Sequence, residues 1–166
     1  FPEFALVYYF KKYGVDVIHS YKDLGYELDV YIPSKKIAIE YDGSYWHKDK
    51  TKKELKKNVR CKDDGITLYR IRQGMQSLND SSIDYLVDEY QKNLEVVLKK
   101  VLSIITETDV DVDLDRDSIE MENLREYTEK SNSILFSQPE IAKEWNYEKN
   151  GNTKPEHVTA NSTKNV

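Results

Sequence analysis

Residues 26–47 read YELDVYIPSKKIAIEYDGSYWH, and their alternation decides the fold. Leu28, Val30 and Ile32 occupy every second position, with Glu27, Asp29 and Tyr31 on the other face. After Pro33-Ser34-Lys35 the alternation resumes, Ile37 and Ile39 on one face and Ala38, Glu40 and Asp42 on the other. This period of two predicts two strands joined by a tight turn. A two-residue loop at Ser34-Lys35 would pair residues whose numbers sum to 69, so Ile32 faces Ile37 and Val30 faces Ile39. A slip of one residue would bury the carboxylates and expose the aliphatics, which selects this register.

The same register sets Asp29 opposite Glu40. Opposed side chains have Cβ atoms roughly 5 Å apart, and like charges there cost of order 0.2–1 kcal/mol. A cation between them would remove that cost, and Mg²⁺ (or Mn²⁺) suits a site with few protein carboxylates. The plainer reading is a hairpin whose acids face water. The continuation favours chemistry: Asp42 is a third carboxylate, Gly43 permits a sharp exit from the strand, and His47 follows as a candidate general base.

Working outward, 166 residues suit one domain of ordinary size with an appendage. Charged residues make up 33% and the mean hydropathy is -0.75, so this is a polar chain. Cys61 is the single cysteine, which excludes an internal disulfide and a multi-cysteine zinc site. No stretch has the apolar length of a membrane span. The start, Phe-Pro-Glu-Phe, has neither an initiator Met nor a signal-peptide pattern, and reads as a piece of a larger cytosolic protein.

The net charge of -5 hides a strong asymmetry. From Lys48 to Lys62 there are eight basic residues against Asp49 and Glu54, a surplus of six. From Glu107 to Glu122, eight acids face Arg116 alone. The basic stretch suits phosphate contacts, although a lysine-rich solvated helix face would look the same.

In chain order, Pro2 to Tyr13 predicts a helix with Phe4, Leu6, Val7 and Phe10 as its apolar stripe and Glu3 in its first turn. Val15 to Tyr21 predicts a ragged strand containing His19, read as structural or exposed. Thr51 to Asp64 predicts the basic helix, with Leu55, Val59 and Cys61 inward and Gly65 as its cap. Ile66 to Arg72 then predicts a strand reached by a helical crossover. Ile83 to Thr106 predicts the longest helix, carrying Leu86, Tyr90, Leu94, Val97, Leu98, Val101 and Ile105 as a core stripe. Val110 to Leu114 alternates like an edge strand; a calcium loop is disfavoured by its spacing. Ser118 to Lys130 predicts another helix, Pro139 to Trp145 a short one, and little regular structure is expected after Asn146.

Glu3, GYELDVYIPSKKIAIEYDGSYWH, the lysine-rich helix and GITLYRIR, in that order, resemble the restriction-endonuclease-like nucleases with a PD-(D/E)xK site. Within them the very-short-patch repair endonuclease branch is the most similar, since it too follows a core strand with Gly, an aromatic, Trp and His. The resemblance covers residues 1–75 with specific motifs. It implies an α/β fold, a mixed β-sheet core flanked by helices over residues 1–130, followed by a partly disordered tail over 131–166. Residues 135–166 resemble the opening of a treble-clef zinc-ribbon repeat. They stop before its cysteines, so no zinc is expected here, nor a ligand role for His157.

The resemblance implies a Mg-dependent endodeoxyribonuclease. Asp29, Glu40 and Asp42 are implied as metal ligands, with His47 beside the attacking water and Glu3 completing the site. Lys48, Lys52, Lys53, Lys57 and Arg60 would meet DNA phosphates, and Tyr45 and Trp46 would stack on bases or pack in their loop. One departure stands out: Asp42 occupies the position of the (D/E)xK lysine, which leaves the general base open between His47, Lys52 and Lys53. The implied partners are DNA and zinc-ribbon domains of a larger protein, with a homodimer open and no membrane. The implied setting is cytoplasmic and nucleoid-associated, in a bacterium or phage. The alternatives are a DNA-binding module of the same fold without catalysis, and a protein-interaction scaffold using the acidic segment.

Overall fold

The computed structural model describes residues 2–43 and 51–159. The chain divides into two compact units, one ending at Arg116 and the other starting at Asp117, so residue 130, the expected boundary, lies inside a helix.

In the first unit, helix α1 (Pro2–Lys12) is followed by strands β1 (Ile18–Tyr21), β2 (Leu28–Ile32) and β3 (Ile37–Gly43). Helix α2 (Thr51–Asp63) then leads to β4 (Thr67–Gln73), β5 (Ile83–Val87) and helix α3 (Leu94–Thr106). The strands form one mixed sheet in the order β1-β2-β3-β4-β5. β2 pairs antiparallel with both β1 and β3, whereas β4 is parallel to β3, and β5 to β4. This is a mixed α/β architecture, a five-stranded sheet flanked by helices.

The expected register holds, with Val30 paired to Ile39, Tyr31 to Ala38 and Ile32 to Ile37. The turn is longer than expected. Pro33–Lys35 form a 3-10 turn, and Lys36 adopts a left-handed φ of 50° while its N–H bonds the Pro33 carbonyl at 3.2 Å. Pro33 has no N–H for a ladder bond to residue 36, so the strands separate a pair earlier with the register unchanged.

Both sheet faces are covered. Helix α1 packs on β2 and β3 and against α3, which also meets β5; α2 lies by β4. Ala5 to Phe10 are all buried in α1. Val30, Ile32, Ile39 and Ile71 are buried on the α1 and α3 side. Leu28, Ala38, Ile66 and Leu68 cluster with Cys61 of α2. Gly65 closes α2 with a φ of +70°, a conformation that favours glycine.

Four expectations need correction. The first strand starts at Ile18 rather than Val15. The long helix expected from Ile83 begins only at Leu94, because Ile83–Val87 add to β4 as an edge strand. Between them, the Asp88 carboxylate accepts the N–H groups of Tyr90 and Asn93, and Asn93 Oδ1 accepts the Asp88 N–H. That bracketed turn leaves Leu86 and Tyr90 exposed rather than in a core stripe. Residues 110–114 form no strand; side chains hold their N–H groups instead. Ser103 Oγ takes that of Val110, the Tyr13 hydroxyl that of Asp111, Tyr9 that of Asp113 and Glu95 that of Leu114. Finally, Val59 is 52% exposed, not inward.

The second unit opens with α4 (Ser118–Asn132) and continues through α5 (Ile134–Ser137), α6 (Pro139–Lys143), α7 (Tyr147–Asn150) and a 3-10 turn at Pro155–His157. Ile134, Ala142 and Val158 form its core with Trp145, and Ser133 bridges to Thr159. The expected absence of regular structure after Asn146 is therefore corrected as far as residue 159. The rest of the tail lies outside the described residues.

Candidate active site

Pleating puts Asp29 of β2, Glu40 and Asp42 of β3, and Arg70 and Arg72 of β4 on the sheet face toward α2. Glu40, Asp42, Arg70 and Arg72 are at most 4% exposed, so the water-facing reading fails for Glu40, while Asp29 is half-buried. Helix α2 lies over them with a polar inner stripe: Glu54 and Asn58 are buried, and Lys57 is half-buried. Positions 54, 57, 58 and 61 follow helical spacing, so this stripe is the true inward face.

Asp42 is held by arginines. Arg70 Nη1 donates to Asp42 Oδ1 at 2.9 Å and Oδ2 at 2.8 Å, and Arg72 Nη1 donates to Oδ2 at 2.9 Å. Arg72 also reaches Glu54 Oε2 at 3.3 Å and the Gln76 carbonyl at 2.8 Å. Arg70 Nε donates to Asn58 Oδ1 at 2.9 Å, and Asn58 in turn donates to Ser82 Oγ at 3.0 Å. Buried charges persist only when paired and hydrogen-bonded, and these are.

Asp29 and Glu40 form a second group. The Asp29 N–H donates to Glu40 Oε1 at 3.1 Å, and the Tyr41 N–H donates to Asp29 Oδ2 at 2.9 Å. Each carboxylate thus grips the other strand's backbone. Lys57 Nζ donates to Glu40 Oε2. Burial, with the charges of Glu40 and then Glu3, pushes the Asp29 carboxyl up to about 8. Burial also raises Glu40, against the pull of Lys57. Among the described residues this layer holds four acids (Asp29, Glu40, Asp42, Glu54) and three cations (Lys57, Arg70, Arg72). Among the described residues Asp29 is the acid of this layer with no cation bonded to it, and burial leaves it to take either a proton or a further cation.

At the edge of this group stands Glu3, in the first turn of α1. The facing imidazole of His19 holds the Glu3 carboxyl below its usual range, with burial opposing. His19 Nε2 lies 3.5 Å from Glu3 Oε2, and the Phe4 ring lies 4.5 Å from the imidazole.

The structure therefore brings Asp29 and Glu40 together and sets Glu3 within electrostatic reach, but draws Asp42 to the arginines. Among the described residues, no set of three or more His, Cys, Asp or Glu side chains is placed to hold a metal ion. A site with two carboxylates remains compatible with Mg²⁺, which commonly keeps several waters. Among the described residues, no hydrogen bond reaches Asp29 Oδ1.

Lys52, Lys53 and Arg60 are exposed on α2, Arg60 lying 5.7 Å from the Tyr26 ring centre, whereas Lys57 turns inward. Tyr45, Trp46, His47 and Lys48 lie outside the described residues. The sequence reading missed the roles of Lys57, Arg70 and Arg72. Their signal was the parallel spacing of Arg70 and Arg72 with Glu40 and Asp42 across a crossover. No described helix is long and apolar enough to cross a membrane. No family model, curated protein or solved structure matches the chain.

Proposed function

We propose that this chain is a divalent-metal-dependent endodeoxyribonuclease of the restriction-endonuclease-like type. One observation carries the reading: the surplus carboxylate at Asp29, set beside Glu40 under a lysine-rich helix. The succession of α1, three antiparallel strands, α2 and a parallel β4 supports it, in agreement with the resemblance of residues 1–75.

Asp29 and Glu40 would hold Mg²⁺ or Mn²⁺, which supplies Lewis-acid polarisation of a phosphodiester and a more acidic bound water. Lys57 neutralises Glu40 and holds it against β2. Asp42 acts structurally here, anchoring Arg70 and Arg72 so that β3 and β4 cannot shift under α2. Lys52, Lys53 and Arg60 offer charge to backbone phosphates, giving binding that weakens with salt. The general base is the role the resemblance leaves open between His47, Lys52 and Lys53, and it would take the attacking water's proton. Water oxygen bonds to phosphorus, a P–O bond breaks, and the leaving oxygen takes a proton from solvent. A single site cuts one strand, so nicking is expected of a monomer.

A second reading, a DNA-binding module without catalysis, is favoured by one observation: both Glu40 oxygens already accept hydrogen bonds. A supercoiled-plasmid assay with Mg²⁺ or Mn²⁺ separates the two. Conversion to open circle by the wild type, lost in Asp29→Ala and Glu40→Ala, supports the nuclease. DNA bound but uncut, with metal or without, supports the module.

A further inference from the structure

Outside the Asp29–Glu40 pair, one buried polar atom among the described residues of the first unit stands out. His19 Nε2 is buried and has no hydrogen-bond partner among the described residues. Its neighbour is Glu3 Oε2 at 3.5 Å. A charge-assisted bond between imidazolium and carboxylate would close to about 2.7–2.9 Å, so at 3.5 Å the pair that lowers the Glu3 carboxyl is a loose one. Buried polar groups are almost always satisfied, so an orphan calls for a missing partner.

The separation fits two ligands of one ion. Nitrogen and oxygen atoms each about 2.0–2.2 Å from a zinc-sized cation stand roughly 3–3.5 Å apart at ordinary coordination angles. Both side chains are held by regular elements. Glu3 is fixed in the first turn of α1, and His19 lies in β1 opposite Val30 with the Phe4 ring tilted 47° against its imidazole. The charge environment agrees, because the charge of Glu3 raises the Asp29 carboxyl, a repulsion that a cation at Glu3 would relieve.

We propose that Glu3 and His19 are two ligands of a transition-metal position that takes Mn²⁺, Co²⁺ or Zn²⁺ in preference to Mg²⁺. Imidazole is a borderline-soft donor that suits these ions, whereas magnesium seeks oxygen alone. Water supplies the remaining ligands. The inference does not depend on the nuclease reading, since it concerns binding rather than cleavage.

The test is a Co²⁺ titration of the full chain at pH 7.5, read by visible absorption and calorimetry, with Mg²⁺ titrated in parallel. The wild type, His19→Gln, Glu3→Gln and Asp29→Asn are compared, the substitutions being near-isosteric so that the packing against Phe4 survives. The expected result is that His19→Gln and Glu3→Gln each weaken Co²⁺ binding about tenfold or more, no less than losing an outer-shell partner does elsewhere. Magnesium affinity should stay within about twofold in His19→Gln, because nitrogen contributes nothing to it. Co²⁺ bound equally well by His19→Gln and wild type overturns the proposal, as does a wild type that takes up no Co²⁺ at millimolar concentration. Loss of Co²⁺ binding in Asp29→Asn alone also overturns it, and leaves the cation on the Asp29–Glu40 pair. Should His19→Gln fail to fold, diamagnetic Zn²⁺ added to wild type decides: a large shift of the His19 Nε2 resonance supports the site, and an unmoved one refutes it. Co²⁺ held at His19 without plasmid nicking would sink the nuclease reading and leave this one standing.

Discussion

The two faces of one sheet are built on opposite principles. Toward α1 and α3 the strands present Val30, Ile32, Ile39 and Ile71, buried like Leu6 and Phe10 of α1 and Leu98 and Leu102 of α3. Toward α2 the same strands present Asp29, Glu40, Asp42, Arg70 and Arg72, met by Glu54, Lys57 and Asn58. The apolar face needs only shape and volume, so its stability should be nearly indifferent to pH and salt. The polar face holds because nearly every charge is matched, and replacing one member leaves another uncompensated. A face built that way is poor at adding stability and good at fixing carboxylates in position. The contrast separates a structural side from a chemical side.

The sharpest way to break this contrast is Asp42→Ala, which strands Arg70 and Arg72 without their shared carboxylate. Urea unfolding at pH 7 should show a loss of about 3–5 kcal/mol. A loss under about 1 kcal/mol would mean that the arginines are not bound as described. On the apolar face, Leu98→Ala should cost about 2–5 kcal/mol by leaving a cavity, and by the same amount at pH 5 and pH 9. A strong pH dependence there would blur the two faces.

Asp29→Asn sharpens the comparison in the opposite direction. The Asp29 carboxyl stands at about 8 in the folded chain, above its ordinary 3.8. The folded state therefore keeps a proton that the unfolded chain has lost, and stability falls as pH rises between these values. At pH 9 without metal the amide variant should be more stable than wild type by about 1–3 kcal/mol, the two converging near pH 4. An unchanged pH profile would place Asp29 in water. The smallest effect belongs to the outer side of α2: Lys52→Ala and Lys53→Ala should leave the unfolding midpoint in place. Each should lower the salt slope of DNA binding by about 1.

How much of this was legible depended on which period carried the signal. The β2–β3 register was readable because a one-residue shift would invert both faces, and neighbouring strands leave no compromise. The candidate pair Asp29 and Glu40 followed from that register alone. Helix α2 misled for a physical reason: apolar spacing assigns Val59 inward, but the sheet beneath carries arginines and carboxylates, so Glu54, Lys57 and Asn58 turn in. The destiny of Asp42 depended on Arg70 and Arg72, which arrive only after a crossover. Residues 83–106 carry apolar spacing that a helix and an edge strand share, and the Asp88–Asn93 turn decides between them. Residues 110–114 lost their strand to hydroxyls of Tyr9 and Tyr13, about a hundred positions earlier, which no local pattern reveals.

The central claim is that the surplus carboxylate on the polar face is matched by a divalent cation at Asp29 and Glu40. The most direct measurement is the thermal unfolding midpoint against Mg²⁺ concentration at pH 7.5, for wild type and Asp29→Asn. A cation that binds only the folded chain stabilises it by about 2.7 kcal/mol at a hundred times its dissociation constant. The account predicts a midpoint that climbs with metal in the wild type and stays flat in Asp29→Asn. Equal responses in the two proteins, or none in either, would contradict it, and Asp29 would then hold a proton and no metal.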